Sequence, residues 1–470
     1  MQAVFSHIGS VRCATADDPA VPLVITPYMI DRRSKRSSHR SFSSYRFSSR
    51  GWKTEAAILW SSQGLALLGT SISQFTLIWW LTERTGSAIW LSIAAIGLLV
   101  PDVFILPFIG PIIDRYSRKQ ILIVANAAIA VVSAVGTVLL TVETVAPVAV
   151  VAILFFRTLT NSFRWPALQA LATDIVPADQ LTRVNAIDYI LRGSTNVLGP
   201  IFAAWMIRAL PVAASLSVDF LAAAAGIGLL LTLTVRESVS EGRRRESVRA
   251  KFRSSLRSLR NGLRYVLTEP GLLPFLGYVS ITNLLLVPIE SLMPLMVSDY
   301  FLSDVESLSM MQISFGLGTV IGGLILGVWG GFRSQIRSAL LGDLVYTLGV
   351  LLIGRCAPGQ LPLAILGWGI SGIGDSLSVA NLNALIQKHT RPELQGRVFS
   401  ISTGLISVWV PVTMLFVGPI AERVGVHFWY GFAGFGMLAL MIGVLFVPAF
   451  YRYEERETVG ARGFAEKSAS

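Results

Sequence analysis

Gly110-Pro111-Ile112-Ile113-Asp114-Arg115-Tyr116-Ser117-Arg118-Lys119 lies between two apolar runs, roughly Ala88–Ile113 and Gln120–Thr141. A helix needs about 20 apolar residues to cross the hydrocarbon of a bilayer, so each run is long enough to span. The charges Asp114, Arg115, Arg118 and Lys119 then form a very short turn between two spans. A tight, cation-rich turn belongs on the cytoplasmic face. Gly110 and Pro111 let the end of the first helix bend or approach a neighbour closely. Asp114 can accept hydrogen bonds from the first turn of another helix, where the dipole favours an anion. At its plainest, the turn does no more than fix topology.

The rest of the 470-residue chain agrees with a membrane setting. It is 53% hydrophobic and only 14% charged, a balance foreign to soluble domains of this size. The net charge of +11 is a topology signal before it is a nucleic-acid signal. Of 39 Lys and Arg, four (Arg84, Arg208, Arg355 and Arg423) fall to the outer face and the remainder to tails, inner loops and inner helix ends. That bias places both termini in the cytoplasm of a multi-pass plasma (inner) membrane protein. Cys13 and Cys356 are the only cysteines, too few and too far apart for a disulfide framework.

Residues 1–52 lack a spanning segment and are rich in Arg and Ser from Arg32 to Arg50, which predicts a disordered cytoplasmic tail. A cleaved targeting peptide would show an n-region, an apolar core and a cleavage pattern, and these are absent. Twelve apolar runs follow. Six lie in residues 53–235, namely Ala56–Leu81, Ala88–Ile113, Gln120–Thr141, Val145–Phe163, Val184–Ile207 and Pro211–Val235. Six lie in residues 270–451, namely Leu272–Val297, Leu308–Gly331, Ile336–Gly354, Leu361–Ile386, Val398–Ile420 and Val426–Phe450. The linker 236–269 carries ten Lys and Arg, with Val248, Phe252, Leu256, Leu259, Leu263 and Val266 at helical spacing. It predicts a basic amphipathic helix on the inner interface rather than a nucleic-acid arm. Residues 452–470 form a second cytoplasmic tail.

The two sets repeat. Gly199-Pro200-Ile201 returns as Gly418-Pro419-Ile420, and Gln169, Pro177, Arg183 and Val184 return as Gln387, Pro392, Arg397 and Val398. Gly110 has a counterpart at Gly327, although Asp114 has none. Ordered landmarks at nearly one offset mean a duplicated six-helix unit. The fold class is therefore all-α integral membrane, twelve transmembrane helices in two six-helix pseudo-repeats.

The opening stretch resembles the G-x-x-x-D-[RK]-x-G-[RK]-[RK] signature of the major facilitator superfamily, with Ser117 at the second glycine. The segments Trp165-Pro-Ala-Leu-Gln-Ala-Leu…Pro177…Asn185-Ala and Gln387…Pro392-Glu-Leu-Gln-Gly396-Arg397-Val398 resemble its macrolide-efflux and enterobactin-exporter branch. Gly199-Pro200 is similar to the fifth-helix motif of drug antiporters, with Ser194 or Thr195 at the first glycine. The resemblance implies a proton-driven exporter of a lipophilic small molecule (a drug, macrolide or siderophore-like compound) working by alternating access. It also implies that Gly110, Asp114, Arg115, Arg118 and Lys119 form a conformational motif in which Asp114 and Arg118 bridge helix ends at the inner surface and stabilise the outward-facing state, and that Arg157 is the arginine proton-coupled facilitators carry in this helix.

A charge at mid-bilayer costs about 2.5–3.5 kcal/mol, so each needs a partner or a purpose. Asp102 and Arg157 sit about 11 and six residues from the inner ends of their runs. At 1.5 Å per residue their depths differ by roughly 7 Å, so they are predicted to form a proton-linked pair. Glu290 and Asp375 lack a nearby cation in sequence and are the next proton-coupling candidates. Asp188 and Arg192, four apart, predict a structural ion pair, and Asp219 and Asp343 read as structural. Phe75 and Trp368 are the candidates to line a substrate cavity.

Other classes fit less well. The four His residues are scattered, at 7, 39, 389 and 427, so no metal site is expected. No G-x-x-x-x-G-K-[ST] loop occurs, which leaves no nucleotide site, no cofactor and no enzyme signature. Uptake of a nutrient by the same fold is the main alternative, and a receptor or scaffold the lesser one. The expected partners are a small molecule, protons and lipid, with no nucleic acid and a monomeric state.

Overall fold

The computed structural model describes residues 51–142, 145–177, 180–234, 264, 266–269, 271–390, 392–448, 450–451 and 454. The amphipathic-helix expectation for the linker falls largely, and the tail expectations almost wholly, outside them. All regular structure among the described residues is helical. The first half holds α1 (Trp52–Thr85), α2 (Ala88–Arg115), α3 (Arg118–Leu139), α4 (Pro147–Asn161), α5 (Arg164–Ile175), α6 (Leu181–Ala209) and α7 (Val212–Thr232). The second holds α8 (Leu272–Leu295) with a π-turn (Met296–Tyr300), α9 (Val305–Trp329), α10 (Gln335–Arg355), α11 (Leu361–His389), α12 (Pro392–Val424) and α13 (His427–Leu445). Each of the twelve apolar runs falls on one of these helices. Among the described residues, eight helices, α1, α3, α7, α8, α9, α10, α11 and α13, are long and apolar enough to cross a membrane.

Hydrocarbon cannot hydrogen-bond a peptide group, which is why apolar runs of this length close their bonds within helices. Turns are brief and defined by side-chain chemistry. Gly86 and Gly330 take left-handed conformations, at φ 54° and 77°, and end α1 and α9 sharply. Asp304 and Ser334 start α9 and α10 by accepting the N–H of Ser307 and Arg337. One boundary departs from the sequence. Run four continues, after a break at Ser162 and Phe163, into α5, whose residues were assigned to a loop. Asn161, Ser162 and Arg164 lower the hydropathy there without ending the helical path.

Large apolar side chains are exposed at the surface, and polar ones are buried among the apolar core. Val328 is 93% and Val138 67% exposed, whereas Asp219, Asn126 and Thr76 are fully buried. An outer face of this kind suits lipid. Inside, α9, α10 and α11 approach backbone to backbone. A Cβ on Gly318 would lie 2.0 Å from the Gly369 carbonyl oxygen, and one on Gly342 2.4 Å from the Ser378 nitrogen. Small residues let membrane helices gain dispersion contacts that lipid cannot match.

The buried core is distributed unevenly along the helices. At the end away from the Gly110–Lys119 turn, one cluster joins the halves, including Phe75, Leu91 and Leu216 from the first with Ile289, Met296 and Met414 from the second. At the turn end each half keeps its own core. Ile113, Leu122 and Leu171 belong to one, and Phe275, Ile336 and Leu385 to the other. Polar contacts also cross between the halves at the far end. Arg208 pairs with Glu306, and Glu422 accepts hydrogen bonds from the Ser87 hydroxyl and, at 3.4 Å, the Ile89 N–H. Among the described residues, the buried core is continuous across the halves at the far end and separate in each half at the turn end.

Gly342→Leu should therefore lower the melting temperature of the detergent-purified protein sharply, since overpacking costs about 1–3 kcal/mol or more. Gly193→Ala, where an added Cβ meets nothing within 4 Å, should melt like the parent. Thermal unfolding followed by size-exclusion chromatography compares the two, and equal melting would disprove the close-packing account.

Candidate functional site

The turn ties three helices together. Ser117 caps α3, its hydroxyl accepting the Gln120 N–H at 3.2 Å. Its backbone, at φ −58°, needs no glycine, so the departure from the family pattern exchanges flexibility for a cap. Arg118 donates to the Ala170 carbonyl at 2.7 Å and pairs with Asp174 at 2.5 Å, binding α3 to the end of α5. Lys119 donates to the carbonyls of Leu233, at 2.7 Å, and Leu231, at 3.3 Å, where the α7 dipole favours a cation. Arg115 is exposed, its guanidinium 5.9 Å from the Tyr116 ring. The side-chain environments of Gly110, Asp114 and Asp102 lie outside the described residues.

Arg157 was expected to pair with Asp102, whose side chain lies outside the described residues; among those described, the carboxylate it meets is Asp219 on α7. The two side chains are 4% and 1% exposed. Ser133 of α3 lies between them, accepting from Arg157 at 2.9 Å and donating to Asp219 at 2.5 Å. Arg157 also donates to the Thr70 carbonyl of α1 at 3.3 Å. Four helices thus meet at one neutralised pair. Depth counted from the far end would have found it. Arg157 is ten residues into α4 and Asp219 seven into α7, about 15 and 11 Å along the axes, whereas Asp102 is about 21 Å into α2. Counting from the other end favoured Asp102.

Other charges of the first half are also held. Asp188 and Arg192 form the expected pair at 2.9 Å, and Arg192 stacks 3.7 Å over the Trp165 ring. Arg164, not singled out in sequence, is 3% exposed and donates to Gln63 and Asn161, each at 3.2 Å. Gly199 and Pro200 lie within α6 where it crosses α1, and a Cβ on Gly199 would come 2.0 Å from the Ser71 hydroxyl. Its repeat, Gly418, instead faces Ile89 and Ser92 of α2 across the joined core.

Two cavities run up from the turn end. One, about 1080 Å³, lies between α1 and α6 and is lined by Trp52, Lys53, Trp60, Leu65, Gln180 and Leu191, among others. It ends at Leu68, which packs on the joined core. The other, about 270 Å³, lies in the second half between α8, α10 and α11. Glu290 and Asp375 both line it, as do Asp343, Tyr278 and Tyr346. The structure thus brings the two carboxylates into one cavity, and it places Asp343, taken as structural, beside them with a hydrogen bond from Tyr278. Leu286 and Val287 line its upper end and pack on the same joined core. Phe75 and Trp368, expected to line a cavity, are 6% and 3% exposed within that core. Trp368 packs there against Phe315, ring centroids 5.0 Å apart. Aromatic size alone did not distinguish a plug from a lining.

A helical membrane protein whose buried core joins its halves at one end, with a cavity opening within each half toward the other, has the build of an alternating-access transporter. The chain belongs to the Major Facilitator Superfamily, whose profile matches residues 59–409 and 289–469. It is 28% identical over 391 residues to macrolide efflux protein A of Streptococcus pyogenes, covering 83% of this chain and 95% of that protein. To macrolide efflux protein A of Enterococcus faecalis it is 30% identical over 327 residues, covering 70% and 99%. To the multidrug efflux pump Tap of Mycobacterium tuberculosis it is 24% identical over 374 residues, covering 77% and 86%. Among solved structures, a peptide transporter bound to alafosfalin superposes with a TM-score of 0.65 at 12% identity over 85% of this chain and 95% of that one. The nucleoside transporter NupG gives 0.63 at 11% identity over 84% and 99%. These likenesses establish the fold. The protein is a multi-pass membrane transporter of small molecules and not an enzyme.

Asp219→Ala strands Arg157 in the core and should cost about 3–5 kcal/mol, whereas Arg157→Leu/Asp219→Leu removes both charges and should recover much of that loss. A double-mutant cycle on melting temperatures tests this. A single variant as stable as the parent would show that the pair bears no structural weight.

Proposed function

We propose that the protein is a secondary active exporter of a lipophilic small molecule, driven by protons entering in exchange. The observation that carries the reading is the joined core at one end and the two cavities rising to it from the other. A path open at one face and plugged at the opposite one is half of an alternating-access cycle. The efflux names of the relatives support the outward direction, and the basic turn supports a cytoplasmic location for the open end. On this reading the twelve apolar runs make twelve spans, six per half, with α4 and α5 together forming one of them. Residues 53–235 and 270–451 are the two bundles, joined by the basic linker 236–269. Both termini are cytoplasmic, the membrane is the plasma (inner) membrane, and the unit is a monomer.

Proton coupling falls to membrane carboxylates that an internal cation does not hold. Asp219 is tied to Arg157 and Asp188 to Arg192, which leaves Glu290 and Asp375 as candidates among the described side chains, with Asp102 standing on the sequence reading alone. Arg157 with Asp219 is then a fixed joint of the first half, and the turn residues Asp114, Arg118 and Lys119 favour particular helix arrangements at the cytoplasmic face.

Everted membrane vesicles with an acidified lumen should accumulate radiolabelled erythromycin several-fold above vesicles without the protein. A protonophore should abolish the excess. Uptake indifferent to the protonophore would exclude proton exchange, and no uptake would exclude macrolide export.

A further inference from the structure

The Arg157 network has an echo two turns nearer the Gly110–Lys119 turn. Its members are Thr70 on α1, Ser133 on α3, Arg157 on α4 and Asp219 on α7. Seven residues along each chain path towards the turn lie Gln63, Asn126, Arg164 and Gly226. Seven residues make almost two full turns, so each successor keeps its helix face about 10 Å farther along. The contacts recur as well. Arg157 donates to the Thr70 carbonyl, and Arg164, past the break between α4 and α5, donates to the Gln63 side-chain oxygen at 3.2 Å. Ser133 meets Asp219, and a Cβ on Gly226 would lie 3.5 Å from the Asn126 amide nitrogen. The charge does not recur. Asp219 balances Arg157, whereas a glycine stands at the matching position of the second layer.

The side chains of this layer are deeply buried, with Gln63, Asn126 and Arg164 at 2%, 0% and 3% exposure. Yet the Gln63 Nε2, the Asn126 Nδ2 and Oδ1 and the Arg164 Nε have no hydrogen-bond partner among the described residues. Three of these four atoms are donors. No Asp or Glu among the described residues forms an ion pair with Arg164. Of its charged neighbours, Asp219 is taken by Arg157, and Arg192 is itself paired with Asp188. One positive charge is left over. Buried charges are ordinarily paired and buried donors satisfied.

We infer that this layer binds a small monovalent anion, a halide such as chloride, whose charge does for Arg164 what Asp219 does for Arg157. The donors that hold it are the Arg164 Nε–H and the side-chain amides of Asn126 and Gln63. Water would satisfy those donors and still leave the guanidinium uncompensated in the core, which is the costly part. One surplus positive charge calls for one negative charge, which disfavours a divalent anion. A bulky anion is disfavoured too, because atoms of Ser62 and Asn126 lie 3.3 to 3.5 Å from where a Gly226 Cβ would stand. Arg157 is no rival for the ion, since Ser133 and Asp219 already engage it. The site lies within the first half and does not depend on what the protein exports.

The test uses the full-length purified protein in detergent. Equilibrium dialysis with radiolabelled chloride should show saturable binding that bromide displaces and gluconate does not. Exchanging gluconate for chloride at constant ionic strength should raise the melting temperature saturably. Arg164→Gln and Asn126→Ala should each weaken chloride binding at least tenfold and flatten the melting response. Gly226→Asp brings a carboxylate to the layer and should abolish chloride binding, while melting no lower than the chloride-free parent. Anomalous scattering from bromide-exchanged crystals of the parent needs no variant and should place the ion against Arg164. Absence of saturable chloride binding to the parent, a melting temperature indifferent to chloride, affinity that survives Arg164→Gln and Asn126→Ala, or bromide found elsewhere would overturn the inference.

Discussion

An exterior of hydrocarbon governs this structure, because it leaves every polar group to find its partner inside the protein. The two halves meet that constraint differently. The first neutralises charge against charge. Arg157, Asp219 and Ser133 form one buried network, and Arg192 bridges Asp188 and the Trp165 ring. The second largely avoids charge at its helix contacts, pressing glycine against backbone between α9, α10 and α11. Its carboxylates collect at a cavity instead. The two halves thus place their carboxylates differently, the first in ion pairs within its helix packing and the second along a cavity wall.

The fold was largely legible because hydrocarbon demands long apolar segments, and apolar length placed the helices. The repeat of Gly199-Pro200 at Gly418-Pro419 announced the duplication, yet it gave no hint that Gly199 would pack within its own half while Gly418 packs across to α2. Sequence similarity preserves the local helix and is silent about its neighbour.

The site was legible only in part. Asp188 with Arg192 could be read because both residues lie on one helix, where spacing fixes proximity. Arg157 with Asp219 could not, since two helices intervene in sequence and only depth links them. Ser133 and Thr70, which complete that network, look like any other small polar residue in an apolar run. Glu290 and Asp375 drew attention by lacking a cation, and the cavity they share came from the packing of α8 against α10 and α11, which no one-dimensional pattern encodes. Phe75 and Trp368 illustrate the converse, because a large ring serves equally well as wall or stopper.

The glycine contacts of α9, α10 and α11 also have a mechanical meaning. Helices locked backbone to backbone cannot slide past one another without clashing, so they behave as a single stiff strut. With the halves joined at the far end, such a strut acts as a lever pivoting there. Length supplies the gain. A helix like α2, with 28 residues, spans about 42 Å, so a tilt of about 10° at the pivot sweeps the opposite tip through about 7 Å. An angular adjustment small enough to preserve most of the internal packing thus opens a mouth on the scale of a drug molecule.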